Sequence, residues 1–187
     1  MTVRNTRLRG RLLAGAAIAA VVVLGVGLYW FQPWKLWQNE TVREALPAAT
    51  AAPTASARPG AGSAPPAAAG PRTVASGELI SHEHATTGSV KIVRLPDGSH
   101  TLRLENLDTS NGPDLRVLLS DAPVKEGVAG WRVFDDGKYV TLGKLKGNKG
   151  DQNYELPPGI DLSQFTSVSI WCDRFDVSFG AAALAKA

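Results

Sequence analysis

The chain has one cysteine, Cys172, in 187 residues. No disulfide can close within it, so the fold must rest on packing alone. Methionine is as scarce, with Met1 the single example. A blue-copper site usually adds an axial Met, so such a site would need another axial group here. Acidic residues are nearly missing from the first part. Residues 1–72 hold eight Lys and Arg against two Asp and Glu, whereas residues 73–187 hold twelve against fifteen. The overall charge of +3 therefore belongs to the N-terminal part, and the remainder is mildly acidic. No basic stripe marks that remainder, which argues against a nucleic-acid partner. A Ser-His-Asp order, a metalloprotease helix, zinc-finger spacing and a nucleotide fingerprint are all absent. Hydrolase and transferase chemistry has no support in the chain.

Long apolar runs are missing too, with one exception. Leu12 to Phe31 is uncharged and rich in Ala, Val, Leu and Gly. Twenty residues at ~1.5 Å each reach about 30 Å, the thickness of a bilayer's hydrocarbon core. Arg4, Arg7, Arg9 and Arg11 precede it. The positive-inside rule then predicts a cytoplasmic basic tail over 1–11, a transmembrane helix over 12–31 in contact with the lipid bilayer, and an extracytoplasmic remainder. Tyr29, Trp30, Phe31, Trp34 and Trp37 follow at the outer end as an aromatic belt. A cleaved signal peptide shares the basic start. It would end in small residues, whereas this run ends in bulky rings, so an uncleaved anchor is expected. No cysteine lies near the run, which excludes a lipid-modified N-terminal cysteine.

Residues 32–72 read as a membrane-exit segment and a linker. Gln38 to Glu44 suits a short helical exit. Ala45 to Pro71 is almost all Ala, Pro, Gly, Ser and Thr, which cannot bury enough surface to offset the entropy of ordering it. A disordered, semi-stiff spacer is expected, holding the domain off the membrane or merely tethering it.

From Thr73 to Ala187 short runs of β-branched and aromatic residues alternate with Gly, Pro, Asn and Asp. Ser89–Arg94 and Thr101–Leu107 alternate with period two. Eight or nine short strands and no long amphipathic helix predict an all-β domain, an antiparallel β-sandwich. Near the C-terminus Val168, Ile170 and Cys172 share one face. The apolar phase then moves to Phe175, Val177 and Phe179. A bulge or a tight bend at Asp173-Arg174 would cause the flip.

The residues leave several roles open. Cys172 stands between Trp171 and Asp173 in a setting expected to be oxidising. It is either an inert core group, paired with another molecule, or chemically used. A reactive thiol needs a positive, partly open setting, which Arg174 could supply and Asp173 would oppose. His82 and His84, two apart on a strand, should face one side. With a thiolate they form a set for zinc or copper; otherwise one is exposed and the other hydrogen-bonds in a turn. His100 reads as a surface residue. Asp114 is either a cation ligand or the anchor of a structural turn. The glycine-lysine run Gly143–Gly150 lacks the ending of a phosphate loop and reads as a solvated hairpin. Trp131 and Phe134, in the long Asp121–Lys138 connection, cap the domain or line a pocket.

Four segments together resemble the electron-transfer DM-thirteen domain family, a partner of DOMON-type β-sandwich domains. They are His84–Val90, Asn111-Gly112-Pro113-Asp114, Leu142–Tyr154, and Trp171–Phe175 with Val177, Phe179 and Gly180. No one segment is specific, but their order and spacing are. The resemblance implies a β-sandwich whose hallmark cysteine works in redox, as a bare thiol or as a ligand to haem or another group. That cysteine falls on Cys172. The family's histidine before a glycine falls on His84, and its Gly-Pro-Asp loop on Gly112, Pro113 and Asp114. The expected catalytic residue is Cys172, and the expected cofactor-binding residues are Cys172 and His84. The cofactor stays unnamed (haem or a metal ion), and no metal site is assigned. A redox partner protein is expected, because the chain carries no attached haem domain. The alternative is a non-catalytic cell-surface binding or structural module in which Cys172 packs the core.

Overall fold

The computed structural model describes residues 3–47 and 70–187, with residues 3–9 given by backbone alone. Most of the Ala/Pro-rich linker lies outside the described residues, as do the side chains of the basic tail before residue 10. One helix, α1 (Val3–Phe31), is followed by a single short helical turn, Pro33–Trp37. Its stretch Gly10–Phe31 is long and apolar enough to cross a membrane, and none of it is buried against the rest of the chain. At ~1.5 Å per residue it reaches about 33 Å.

The rest of the described chain is strand and loop with two more three-residue helical turns, Val128–Gly130 and Leu162–Gln164, and the strands fall on the alternating runs. The strands are β1 (Thr41–Arg43), β2 (Arg72–Ser81), β3 (Thr87–Arg94), β4 (His100–Asp108) and β5 (Leu115–Ser120). They continue with β6 (Tyr139–Lys144), β7 (Lys149–Glu155), β8 (Ser167–Cys172), β9 (Val177–Ala183) and the two-residue β10 (Ala185–Lys186). They form one continuous curled sheet in the order β1-β7-β4-β3-β2-β9-β8-β5-β6, with β10 beside β2. Strand β2 joins the two halves. Its first part pairs with β3, and Leu79–Ser81 pairs with β9. The halves thereby face each other across one core. Val90, Ile92, Leu102 and Leu104 come from one half, and Val117, Leu119, Val168 and Ile170 from the other. Burying such side chains stabilises by roughly 1.5–3 kcal/mol each, before the entropy of ordering is subtracted.

Two expectations need correction. Gln38–Glu44 is not helical. Thr41–Arg43 runs parallel to β7, paired with Lys149–Asp151. The pairing is close because residue 150 is Gly with φ 94°, where a Cβ would strike the Val42 carbonyl. So the glycine-lysine run is no solvated hairpin. It is the seat of β1, with Gly147 and Asn148 buried. The Asn148 amide donates to Asn39 Oδ1 (2.9 Å) and the Thr109 carbonyl (2.7 Å), and its Oδ1 accepts from the Glu40 N–H (2.7 Å). The described domain therefore begins before the Ala/Pro-rich run, which does not separate α1 from the sheet.

Strand β8 is buried on both faces. The Asp121–Lys138 connection covers its outer face. Phe134 packs edge-on against Trp171, with ring centroids 6.4 Å apart. Ser167 Oγ donates to the Ala122 carbonyl (2.7 Å) and Ser169 Oγ to Ser178 Oγ (2.9 Å), so the covered hydroxyls are satisfied. Phe134 caps the domain, the first of its two sequence readings.

Candidate functional site

Strands β5, β8 and β9 bring Cys172 to one end of the domain. It pairs across to Leu115 on β5 and Val177 on β9. The expected face-sharing of Val168, Ile170 and Cys172 is observed, since all three enter the main core. The phase flip has a simple cause. Asp173–Asp176 is a four-residue turn closing the β8–β9 hairpin, and Asp176 takes a left-handed φ of 49°. A separate bulge lies further on, where Phe179 has no partner between Ser178↔Trp171 and Gly180↔Ile170.

The Cys172 side chain has 0% exposure. Burial pushes the thiol up from its ordinary range. The backbone amides of Phe175, Arg174 and Asp114 oppose this, and the Glu83 carboxylate reinforces it. Arg174 gives the sulfur no positive neighbour. Its guanidinium reaches α1 instead, donating to the carbonyls of Trp30 (2.8 Å) and Tyr29 (3.2 Å). Cationic charge at a helix C-terminus complements the helix dipole. Phe175 stacks on Phe31 at 5.6 Å. The turn that follows the cysteine is thus docked on the end of the apolar helix.

The two histidines do not share a face. Strand β2 ends at Ser81, and the backbone bends before His84. His82 turns to the covered outer side, stacked on Phe134 at 5.8 Å. Its Nε2 lies 3.1 Å from the Lys125 carbonyl, so that nitrogen carries the proton, and Nδ1 accepts from Ser178 Oγ at 2.8 Å. Burial lowers its ionisation below the ordinary histidine range, against the pull of the Lys125 carbonyl. His84 turns the other way. Its ring centroid lies 3.9 Å from that of Phe179, and its Nε2 lies 2.8 Å from Glu83 Oε2. His100 opens β4 opposite Arg94, outside this cluster.

The Asn111-Gly112-Pro113-Asp114 loop closes the same end. Gly112 fits because a Cβ there would press on Phe179 Cζ (3.1 Å) and Leu115 (3.2 Å). The Asp114 carbonyl accepts from the Asp173 N–H at 3.0 Å, tying the loop to the hairpin turn. Burial alone would raise the Asp114 carboxyl, but Arg116 and Lys144 hold it below its ordinary value. Arg116 also reaches Asp173 at 3.0 Å, which neutralises the carboxylate beside the cysteine. Asp114 is a structural anchor.

Among the described residues no group of three or more His, Cys, Asp or Glu side chains could hold a metal ion. A group ligated through Cys172 does not fit these residues. The sulfur is enclosed by the core, His82 lies across the sheet, and His84 is engaged by Glu83. What the end does offer is a cavity of about 310 Å³ between the domain and the exit segment, with His84, Phe175 and Phe179 on one wall. Sequence reasoning missed Glu83, and it missed that Phe179 and the exit segment wall this cavity.

An all-β domain whose cysteine end abuts an apolar helix is the class this fold and site define. The chain belongs to the DM13 electron-transfer family, whose family model, described as Electron transfer DM13, matches residues 78–184. No curated protein and no solved structure matches the chain.

Proposed function

We propose that this chain is a membrane-anchored electron-transfer module with its β domain on the extracytoplasmic side, and that it exchanges electrons at the domain end beneath which Cys172 lies. One observation carries the reading: His84, the Gly112-Pro113-Asp114 loop and the Cys172 turn, three separate parts of the family pattern, converge beside the exit from the apolar helix. In this reading Cys172 is a thiol kept protonated and covered at rest. It reacts when the Asp173–Asp176 turn lifts from α1. Its thiolate then attacks one sulfur of a disulfide on a redox partner protein. A new S–S bond joins the two proteins, and the partner's other sulfur leaves as a thiolate that takes up the proton Cys172 gave to solvent.

The test uses the full chain in detergent with an aromatic disulfide reagent. Arg174→Ala removes the guanidinium from the Tyr29 and Trp30 carbonyls. It should speed thiol exchange about tenfold with the fold intact, if the turn gates access by ~1.4 kcal/mol. Cys172→Ser should abolish exchange. A rate that tracks global unfolding in both wild type and Arg174→Ala would overturn the reading.

The complete enclosure of Cys172 favours a second reading, in which the sulfur is a packing group of a surface binding or structural module. Cys172→Ala would then leave every redox and binding property unchanged and cost only modest stability.

A further inference from the structure

The cavity at the helix exit has two sources of wall. Phe31 comes from the end of α1, and Pro33 and Leu36 from the turn after it; His84, Phe175 and Phe179 come from the domain. Its rings are paired, Phe31 with Phe175 at 5.6 Å and His84 with Phe179 at 3.9 Å. Flat aromatic walls favour a flat ligand, offset-stacked or edge-on. The volume of about 310 Å³ suits a single small ring system rather than a porphyrin-sized macrocycle.

The polar groups are few and specific. Lys35 stands at the rim, its Nζ 3.5 Å from the Pro113 carbonyl. Glu83 keeps the proton of His84 on Nε2, and Nδ1 has no hydrogen-bond partner among the described residues. The neutral ring can accept a hydroxyl at Nδ1, and the charged ring can donate to a carbonyl there. A ligand whose ring oxygens alternate between those two forms meets both states. An acyl chain would use neither group.

One wall of the cavity is Phe31 and the residues that directly follow it, at the end of Gly10–Phe31, the stretch fit to cross a membrane. A ligand with an apolar tail could thus keep the tail in lipid while its ring enters the domain. We propose that this cavity binds the head group of a membrane-soluble quinone, its ring held among Phe31, Phe175 and Phe179 and one oxygen on His84. The proposal rests on the membrane-anchored reading above and adds the class of ligand.

The test uses the full chain in phosphatidylcholine nanodiscs, with decylubiquinone as probe and quenching of tryptophan fluorescence as readout. Wild type should show saturable quenching above the partition background of empty discs. His84→Leu, which keeps bulk and loses the hydrogen bond, should weaken it about tenfold. Leu36→Arg, which puts a charge in the apolar wall, should abolish saturation. Ile160→Arg, in a separate cavity lined by Leu162 and Phe165, should bind as wild type does. Melting curves on each variant exclude unfolding as the cause. Quenching that never saturates, or that is equal in wild type, His84→Leu and Leu36→Arg, would overturn the proposal. Running the thiol-exchange assay on the same wild-type sample separates the two ideas. Quinone binding without thiol exchange in wild type would sink the thiol reading alone. Thiol exchange without saturable quinone binding would sink this one alone.

Discussion

His82 and His84 stand two residues apart, yet they meet opposite environments. Period-two reasoning holds only while a strand continues, and β2 stops at Ser81. The break is set by the turn around Thr86, whose hydroxyl lies 2.7 Å from that of Thr109 and donates to the Phe179 carbonyl at 2.9 Å. Nothing local to Ser81–His84 announces those distant partners. By contrast, the phase of Val168, Ile170 and Cys172 was legible because β8 runs unbroken. His82 carries a prediction of its own. Its folded ionisation is depressed by burial, so between that value and the unfolded value of about 6.5 the unfolded chain binds more protons. Stability is then fully present above about pH 6.5 and falls as pH drops toward the folded value, at up to ~1.4 kcal/mol per pH unit. Melting temperatures between pH 8 and 5 should show this fall, and His82→Gln should flatten it. Equal slopes in both proteins would show that His82 does not titrate with folding. The lowered carboxyls of Glu44, Glu105 and Asp114 act in the same direction, but below the ordinary carboxylate range.

Strand β2 shows what an element adds to its residues. Gly77 reads in sequence as a mere interruption of a β run. In the fold it sits just before the point where β2 leaves β3 for β9, and a Cβ there would collide with the Ala183 carbonyl. Backbone cannot rotate away as a flexible side chain can. Gly77→Ala should therefore destabilise by about 1–3 kcal/mol or more, by overpacking at the seam between the two halves. A denaturant midpoint unchanged from wild type would contradict that account. The hairpin β8–β9 was only half legible. Its phase flip is visible in the pattern, but Asp173–Asp176 reads equally as bulge or bend. The docking of Arg174 and Phe175 on α1 decides the geometry, and the carbonyls that Arg174 reaches lie 144 and 145 residues away in sequence.

At the scale of the molecule the unexpected feature is that chain on both sides of the Ala/Pro-rich run belongs to one sheet. Thr41–Arg43 adds to β7, Arg103 Nη1 donates to the Glu44 carbonyl at 2.9 Å, and Lys146 Nζ grips the Glu44 carboxylate at 2.7 Å. A site-specific protease sequence placed within that run should therefore cut the chain without separating it. In detergent the helix-bearing fragment and the domain fragment should elute together, and urea should part them. Fragments that separate without denaturant would show that β1 does not hold the two parts. A strand of three residues is weak alone, so Asn148→Ala, which removes the bonds to Asn39, Glu40 and Thr109, should loosen the nicked complex most.

Sequence alone determined the features that depend on composition and near neighbours: an apolar stretch long enough for a bilayer, an all-β class, family membership through spaced segments, and the inward phase of the cysteine strand. Tertiary structure alone decided that the sulfur is sealed, that His84 lines the cavity at that end while His82 turns away, and that the helix exit completes a cavity against the domain. Periodicity reports which way a side chain points from its own backbone. It holds no record of the distant surface waiting there, and long-range packing is what fills in that half.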